Sequence, residues 1–157
     1  TIGVVQGKNY FQMVDCYQYL DRLGVDKIAI SFDYSWYEEI VPHPNKYMSW
    51  MLGRATLLTR LLKDGVINKS KPHHLLGASL AREFAGYAPI ASKLNIRSLD
   101  TSNPVVAGLL GHRYMAKQGL NHKPSMMLAD MIDVDVNEDQ LDDILFNTTE
   151  FKKIIER

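Results

Sequence analysis

The chain has 157 residues, 46% of them apolar, and its 18 lysines and arginines balance 18 aspartates and glutamates. That length suits one domain with a sizeable core, and zero net charge excludes a generally basic nucleic-acid coat while leaving room for a local basic patch. A single cysteine, Cys16, excludes an intramolecular disulfide or a cysteine-rich zinc site and reads as a reduced, buried thiol of a cytoplasmic protein, and no apolar run approaches the roughly 18 residues a bilayer span needs.

The chain opens at Thr1 inside a strand-like run with neither an initiator methionine nor a signal pattern, so upstream sequence is expected to be missing. Ile2 to Val5 (IGVV) is the first predicted strand. Asn9 is positioned to cap a helix ending near Leu23, with Phe11, Val14, Leu20 and Leu23 as its apolar side and Gly24 as the left-handed stop. A second strand, Ile28 to Phe32, precedes a longer helix from an Asn45 cap to about Lys63, carrying Met48, Met51, Leu52, Leu58, Leu61 and Leu62 and followed by Gly65. A third strand at His74 to Leu76 leads into a short helix from Ser79 to Gly86. The fourth, Ile96 to Leu99, leads into a helix capped by Asn103, with Pro104 in its first turn.

This alternation predicts an α/β fold with a parallel sheet and helical crossovers. Four βα units over residues 1–120 equal half of a (β/α) barrel, and a small doubly wound open sheet fits the same pattern. From about Asn121 a helical tail is expected to 157, with an Asn137–Gln140 capping box and a Leu141, Ile144, Leu145 stripe.

In parallel α/β folds ligands bind at the carboxyl ends of the strands. The residues there are Gln6-Gly7, Asp33, Gly77-Ala78-Ser79 and Asp100-Thr101-Ser102-Asn103. Gln6 can pair with a planar amide-bearing ligand, and Gly7 and Gly77 allow close approach to backbone. Asp100 reads either as a nucleophile toward an electrophilic sugar carbon or as the organiser of the following turn. Asp33 reads more readily as structural or solvated.

Other signals carry less. His73 and His74 are adjacent in a strand and point to opposite faces, so they cannot readily chelate one metal ion. Asp133, Asp135 and Asn137 imitate the opening of a calcium loop, but Glu138 stands where glycine is needed and Ile144 where a bidentate glutamate is needed. No metal site is expected. Lys63, Lys69, Lys71 and the two histidines could meet phosphates or be ordinary solvated surface. Tyr34, Trp36 and Tyr37 could stack a base or pack a loop, and the methionines at 48, 51, 126, 127 and 131 read as core filler.

The order Val5-Gln6-Gly7, then Lys71-Pro72-His73-His74-Leu75-Leu76-Gly77, then Ser98-Leu99-Asp100 resembles the carboxyl-terminal half of the tRNA-guanine transglycosylase superfamily barrel. The likeness covers about residues 1 to 111 and rests on three short motifs in order, each at a strand end. By that resemblance Asp100 is the nucleophile of a base exchange, and Gln6, Gly7, Leu76, Gly77 and Asp33 surround the base. Lys69, Lys71 and Trp36 are candidate nucleic-acid contacts. The implied partners are DNA or tRNA and a 7-deazaguanine base, with a missing amino-terminal half or a second copy closing the barrel, and no cofactor.

Where the bacterial tRNA enzymes carry a double glycine this chain has Ser31-Phe32-Asp33, and Thr101-Ser102-Asn103-Pro104 replaces their Pro-Thr-Arg stretch. Their zinc cysteines are absent. The His122-Lys123-Pro124 tail looks more like the phage and genomic-island branch that modifies DNA. The superfamily's second acidic residue, its general acid/base, belongs to the other barrel half and has no counterpart here. Two further readings stand beside the enzyme: a catalytically silent half-barrel that supports a partner chain, and an open-sheet domain that binds a small molecule.

Overall fold

A computed structural model describes residues 1–78, 80–120, 126, 128–131 and 133–156. The elements in order are β1 (Ile2–Val4), α1 (Tyr10–Leu23), β2 (Lys27–Ser31), α2 (Tyr37–Ile40), α3 (Lys46–Lys63), β3 (His73–Leu76), α4 (Arg82–Ala91), β4 (Ile96–Leu99), α5 (Asn103–Leu109), a 3-10 turn at Leu128–Met131, and α6 (Glu138–Ile155). They fall into two compact units. One comprises Thr1–Gly77 with Pro89–Asp100, the other Ala78–Ala88 with the residues from Thr101 on, so the division runs through α4.

The first unit is a four-stranded, wholly parallel sheet in the order β1-β2-β3-β4. Gly3, Ile28 and His73 are in register and share one face, and Val4, Ala29 and His74 share the other. Between β3 and β4 the register shifts at His73/His74: Ile96 pairs with His73, but Ser98 pairs with His74. The bulge passes over Arg97 and brings Ser98 onto the face of His74.

Helices α1 and α3 both pack on the Gly3 face. A Cβ on Gly3 would lie 2.7 Å from a terminal methyl of Leu20, which places α1 over this face of the edge strand. Phe32 continues the same face and meets Trp50 of α3 edge-on at 5.5 Å. Between sheet and helices lies a core of Val5, Met13, Tyr17, Ile28, Ile30, Leu57, Leu58, Leu61, Leu75 and Leu94, all essentially inaccessible.

The caps read from sequence hold at Asn9, which accepts from the Gln12 N–H, and at Asn45, which accepts from the Tyr47 N–H. Gly24 and Gly65 take the left-handed conformation after their helices. The expected apolar side of α1 is rotated: Phe11 and Leu23 are exposed, and Tyr10, Met13 and Tyr17 are buried. Partners for the phenols decide the phase. The Tyr10 hydroxyl donates to Asp64 at 2.6 Å, and the Tyr17 hydroxyl lies 2.8 Å from His73 Nε2. On α3, Leu52 is exposed and Arg54 is buried. Helix α4 runs through Gly86 and Pro89 rather than stopping at Gly86, and its predicted start at Ser79 lies outside the described residues. The four-residue α2 has no counterpart in the sequence-based expectation.

In the second unit α5 packs on α6. Val106, Leu109 and Met131 form its core, with Val105, Leu110 and Ile144 against them. Asn147 is fully buried, accepts from the Tyr114 N–H at 2.7 Å, and donates to the carbonyls of His112 (2.9 Å) and Pro104 (3.3 Å). The capping box of Asn137 and Gln140 is present, whereas Leu141 and Leu145 are exposed and the buried side of α6 is Asn147, Glu150, Phe151 and Ile154. Asn103 does not cap α5. Ser102 holds that position, and the Asn103 carboxamide accepts from the buried Tyr114 hydroxyl. The expected tail motif His122-Lys123-Pro124 and Met127 lie outside the described residues. Among the described residues no helix is long and apolar enough to cross a membrane.

Two stability predictions follow from this packing. A Cβ on Gly108 would come within 2.5 Å of the Ile144 side chain and 2.6 Å of its backbone nitrogen. Gly108→Ala is therefore expected to cost about 1–3 kcal/mol by overpacking, measured by urea denaturation. His73 is 1% exposed, stacked on Tyr17 at 5.7 Å, and burial holds its imidazole below the ordinary value near 6.5. The folded state thus binds fewer protons than the unfolded one below that value. Stability is full above about pH 6.5 and falls as pH drops below it, and His73→Phe flattens that slope in denaturation curves.

Candidate functional site

The carboxyl edge of the sheet is organised from beneath by Arg54. This side chain of α3 is fully buried and runs under the strand ends, where its guanidinium donates to the carbonyls of Gly77 (2.9 Å), Leu76 (3.1 Å) and Ile30 (3.4 Å). It also lies over the Phe32 ring at 5.2 Å. One planar cation with a fork of donors satisfies carbonyls that emerge where the ladder ends.

Gly77, held at its carbonyl by Arg54, has φ of 71°. That left-handed turn, open to glycine at little cost, points its N–H at the Asp100 carboxylate, which accepts it. Asp100 is the first residue past β4, its own N–H donating to Leu75 O at 3.2 Å, and its side chain is 54% exposed. The carboxylate is thus fixed on one oxygen and open to solvent.

Below Asp100 on the sheet face opposite the helices lies a polar row. His74 Nε2 is 3.7 Å from Asp100 Oδ2, and His74 Nδ1 is 2.9 Å from Ser98 Oγ. Lys27 Nζ donates to the same Ser98 oxygen at 2.9 Å. Three strands therefore contribute Lys27, His74 and Ser98, with Asp100 at the rim.

The other expected residues divide by position. Gln6, Gly7, Asp33 and Leu76 share the carboxyl edge with Gly77 and Asp100. Gln6 is exposed, and its N–H donates to Cys16 Sγ at 3.3 Å; the thiol is half-buried rather than buried. A Cβ on Gly7 would fall 2.8 Å from the Met13 nitrogen, so that glycine serves the close packing of the strand end on α1. Asp33 is exposed and accepts from Ser31 Oγ at 2.7 Å. Tyr34 links β1 and β2: its hydroxyl accepts from the Ser31 N–H at 3.2 Å and donates to Val5 O, and burial pushes it up to about 12.

Lys69 and Lys71 precede β3 and so stand at the opposite end of the strands. Lys71 Nζ donates to Val25 O at 2.6 Å and is 3.6 Å from Asp21. Trp36 is 8% exposed and packed on Tyr37 at 5.1 Å, which leaves no open ring face for stacking. Lys69 and Lys71 are therefore separate from the carboxyl-edge cluster, and Trp36, which follows the carboxyl end of β2, is buried. Among the described residues no group of three His, Cys, Asp or Glu side chains is arranged to hold a metal ion, and His73 and His74 do point to opposite faces.

Sequence reasoning passed over Arg54 and Lys27, gave Ser98 no role of its own, and considered His74 only as half of a metal pair or a phosphate contact. The available signal was a polar residue inside a strand otherwise read as apolar. Comparison of the chain with family models, with curated proteins and with solved structures gives no match.

Arg54→Met keeps the side-chain volume but removes the buried donor to the Gly77 carbonyl and leaves Leu76 O with the Phe32 N–H alone. The expected loss is about 3 kcal/mol in urea denaturation, with Gly77 and Asp100 the amides whose NMR shifts change most among those distant from residue 54.

Proposed function

We propose that this chain supplies the nucleophile-bearing half of a (β/α) barrel that exchanges guanine in nucleic acid for a 7-deazaguanine. Asp100 attacks C1′ of a guanosine nucleotide, guanine departs, and the covalent glycosyl carboxylate is then opened by the incoming base. The observation that carries this reading is the Asp100 carboxylate: one oxygen is held by the Gly77 N–H, and the other is exposed at the rim of a parallel sheet. A nucleophile needs that combination of fixed direction and a free lone pair.

Three further features support it. The motifs that resemble the transglycosylase superfamily end on the same carboxyl edge, with Leu76 and Gly77 at the end of the strand next to Asp100 and Gln6 and Gly7 at the end of β1. The strand order runs 1-2-3-4 without the reversal that creates the crevice of a doubly wound sheet. Right-handed crossovers in that order put successive helices on one face, as in a barrel, and α1 and α3 pack on one face here. In this reading the polar face of Lys27, His74 and Ser98 lies toward the barrel interior, and β1 or β4 pairs with the completing half or a second copy. Phosphate contacts come from residues other than Lys69, Lys71 and Trp36.

The test is intact-protein mass spectrometry after incubation with guanine-containing DNA or tRNA and rapid denaturation. The wild-type chain gains the mass of the nucleic-acid fragment and releases guanine. Asp100→Asn forms no adduct and loses at least about a thousandfold in guanine release. Adduct formation that persists in Asp100→Asn, or a wild-type chain that releases no guanine from either polymer, overturns the reading.

A further inference from the structure

We infer that His74 is the acid–base residue of this site, recharged through Ser98 and Lys27; the inference rests on Asp100 being the nucleophile of a base exchange. Lys27 bears an ammonium that can only donate, so its bond to Ser98 Oγ occupies a serine lone pair and leaves the serine proton to point elsewhere. The other group at 2.9 Å from that oxygen is His74 Nδ1. Ser98 therefore donates to Nδ1, and the neutral imidazole keeps its proton on Nε2, the nitrogen facing Asp100. At 3.7 Å that contact is too long to be a direct hydrogen bond, so the Nε2–H remains available to a ligand atom seated beside the carboxylate.

The charged groups facing His74 from its neighbouring strands are Lys27 on β2 and Asp100 past β4. Arg97 is turned to Asn95 Oδ1 at 2.6 Å, and His73 faces the helices. His74 itself is 14% exposed, sheltered enough to hold its orientation while its reactive edge opens at the rim.

The proton balance closes. As Asp100 bonds to C1′, the C1′–N9 bond breaks and its electron pair goes to the purine, which takes the Nε2 proton. The Ser98 proton moves to Nδ1, a Lys27 proton replaces it on Ser98, and Lys27 is left as a neutral amine. The incoming base then attacks C1′ through a ring nitrogen whose proton returns along the same path, Asp100 departs as carboxylate, and Lys27 regains its charge.

Two measurements test the role. In the 157-residue chain, ¹⁵N NMR of the histidines is expected to find the His74 proton on Nε2. A proton on Nδ1 overturns the inference. The second measurement compares adduct formation from a guanine-containing oligonucleotide with that from a ribosyl probe bearing nitrophenolate, a leaving group that needs no proton. His74→Gln slows the first about a hundredfold and the second by no more than about threefold. Equal rates in His74→Gln and wild type, or equal slowing of both probes, overturn the acid–base role alone. A wild-type chain that forms no adduct with either probe overturns the base-exchange reading and this role with it.

Discussion

The carboxyl edge depends on one buried cation. A parallel sheet leaves carbonyls unsatisfied where its ladder stops, and burying such groups without donors costs about 1–3 kcal/mol each. Arg54 answers that cost from below, drawing the ends of β2 and β3 to a single guanidinium. Because Arg54 holds the Leu76 carbonyl, which shares a peptide plane with the Gly77 N–H, that N–H has a fixed direction, and Asp100 is anchored to it. The chain of dependence runs from an α3 side chain with no exposed surface to a carboxylate with more than half of its surface in solvent.

The second unit uses the same device with a neutral group. Asn147 meets one backbone N–H and two carbonyls in a space with no solvent, tying α6 to the first turn of α5 and to the segment that follows it. In both units a side chain that can satisfy several backbone groups at once takes a position that a hydrophobic pattern would assign to leucine. Such residues specify which loop conformation is tolerated, since an apolar replacement would leave the same backbone groups unpaired.

The strands, their parallel order of connection and the helix ends at Asn9, Gly24, Asn45, Gly65 and Asn137 were legible because each rests on local chemistry: β-branched runs, side-chain caps and left-handed glycines. The inward faces of the helices were less so. Phe11 and Leu23 look like core by composition, yet Tyr10 and Tyr17 are buried instead because distant partners, Asp64 and His73, satisfy their hydroxyls. Asp100 was legible as a strand-end carboxylate. Its supports were not: Arg54 reaches Gly77 from α3, and His74 and Lys27 meet Ser98 only across strands that are far apart in the chain. Lys71 is close in sequence to Gly77 but is separated from it by the length of β3, with its ammonium on Val25 O and near Asp21.

The bulge at His73/His74 carries a further meaning. Side chains alternate along β4, so without the step over Arg97 the partner of His74 would be a cation rather than a hydroxyl. The chemistry of this face is therefore encoded in alignment as much as in residue identity. A chain could keep the lysine, histidine, serine and aspartate and still lose their connection by gaining or losing one residue in β4. Any search for kindred proteins by these four letters has to ask first how their strands are phased.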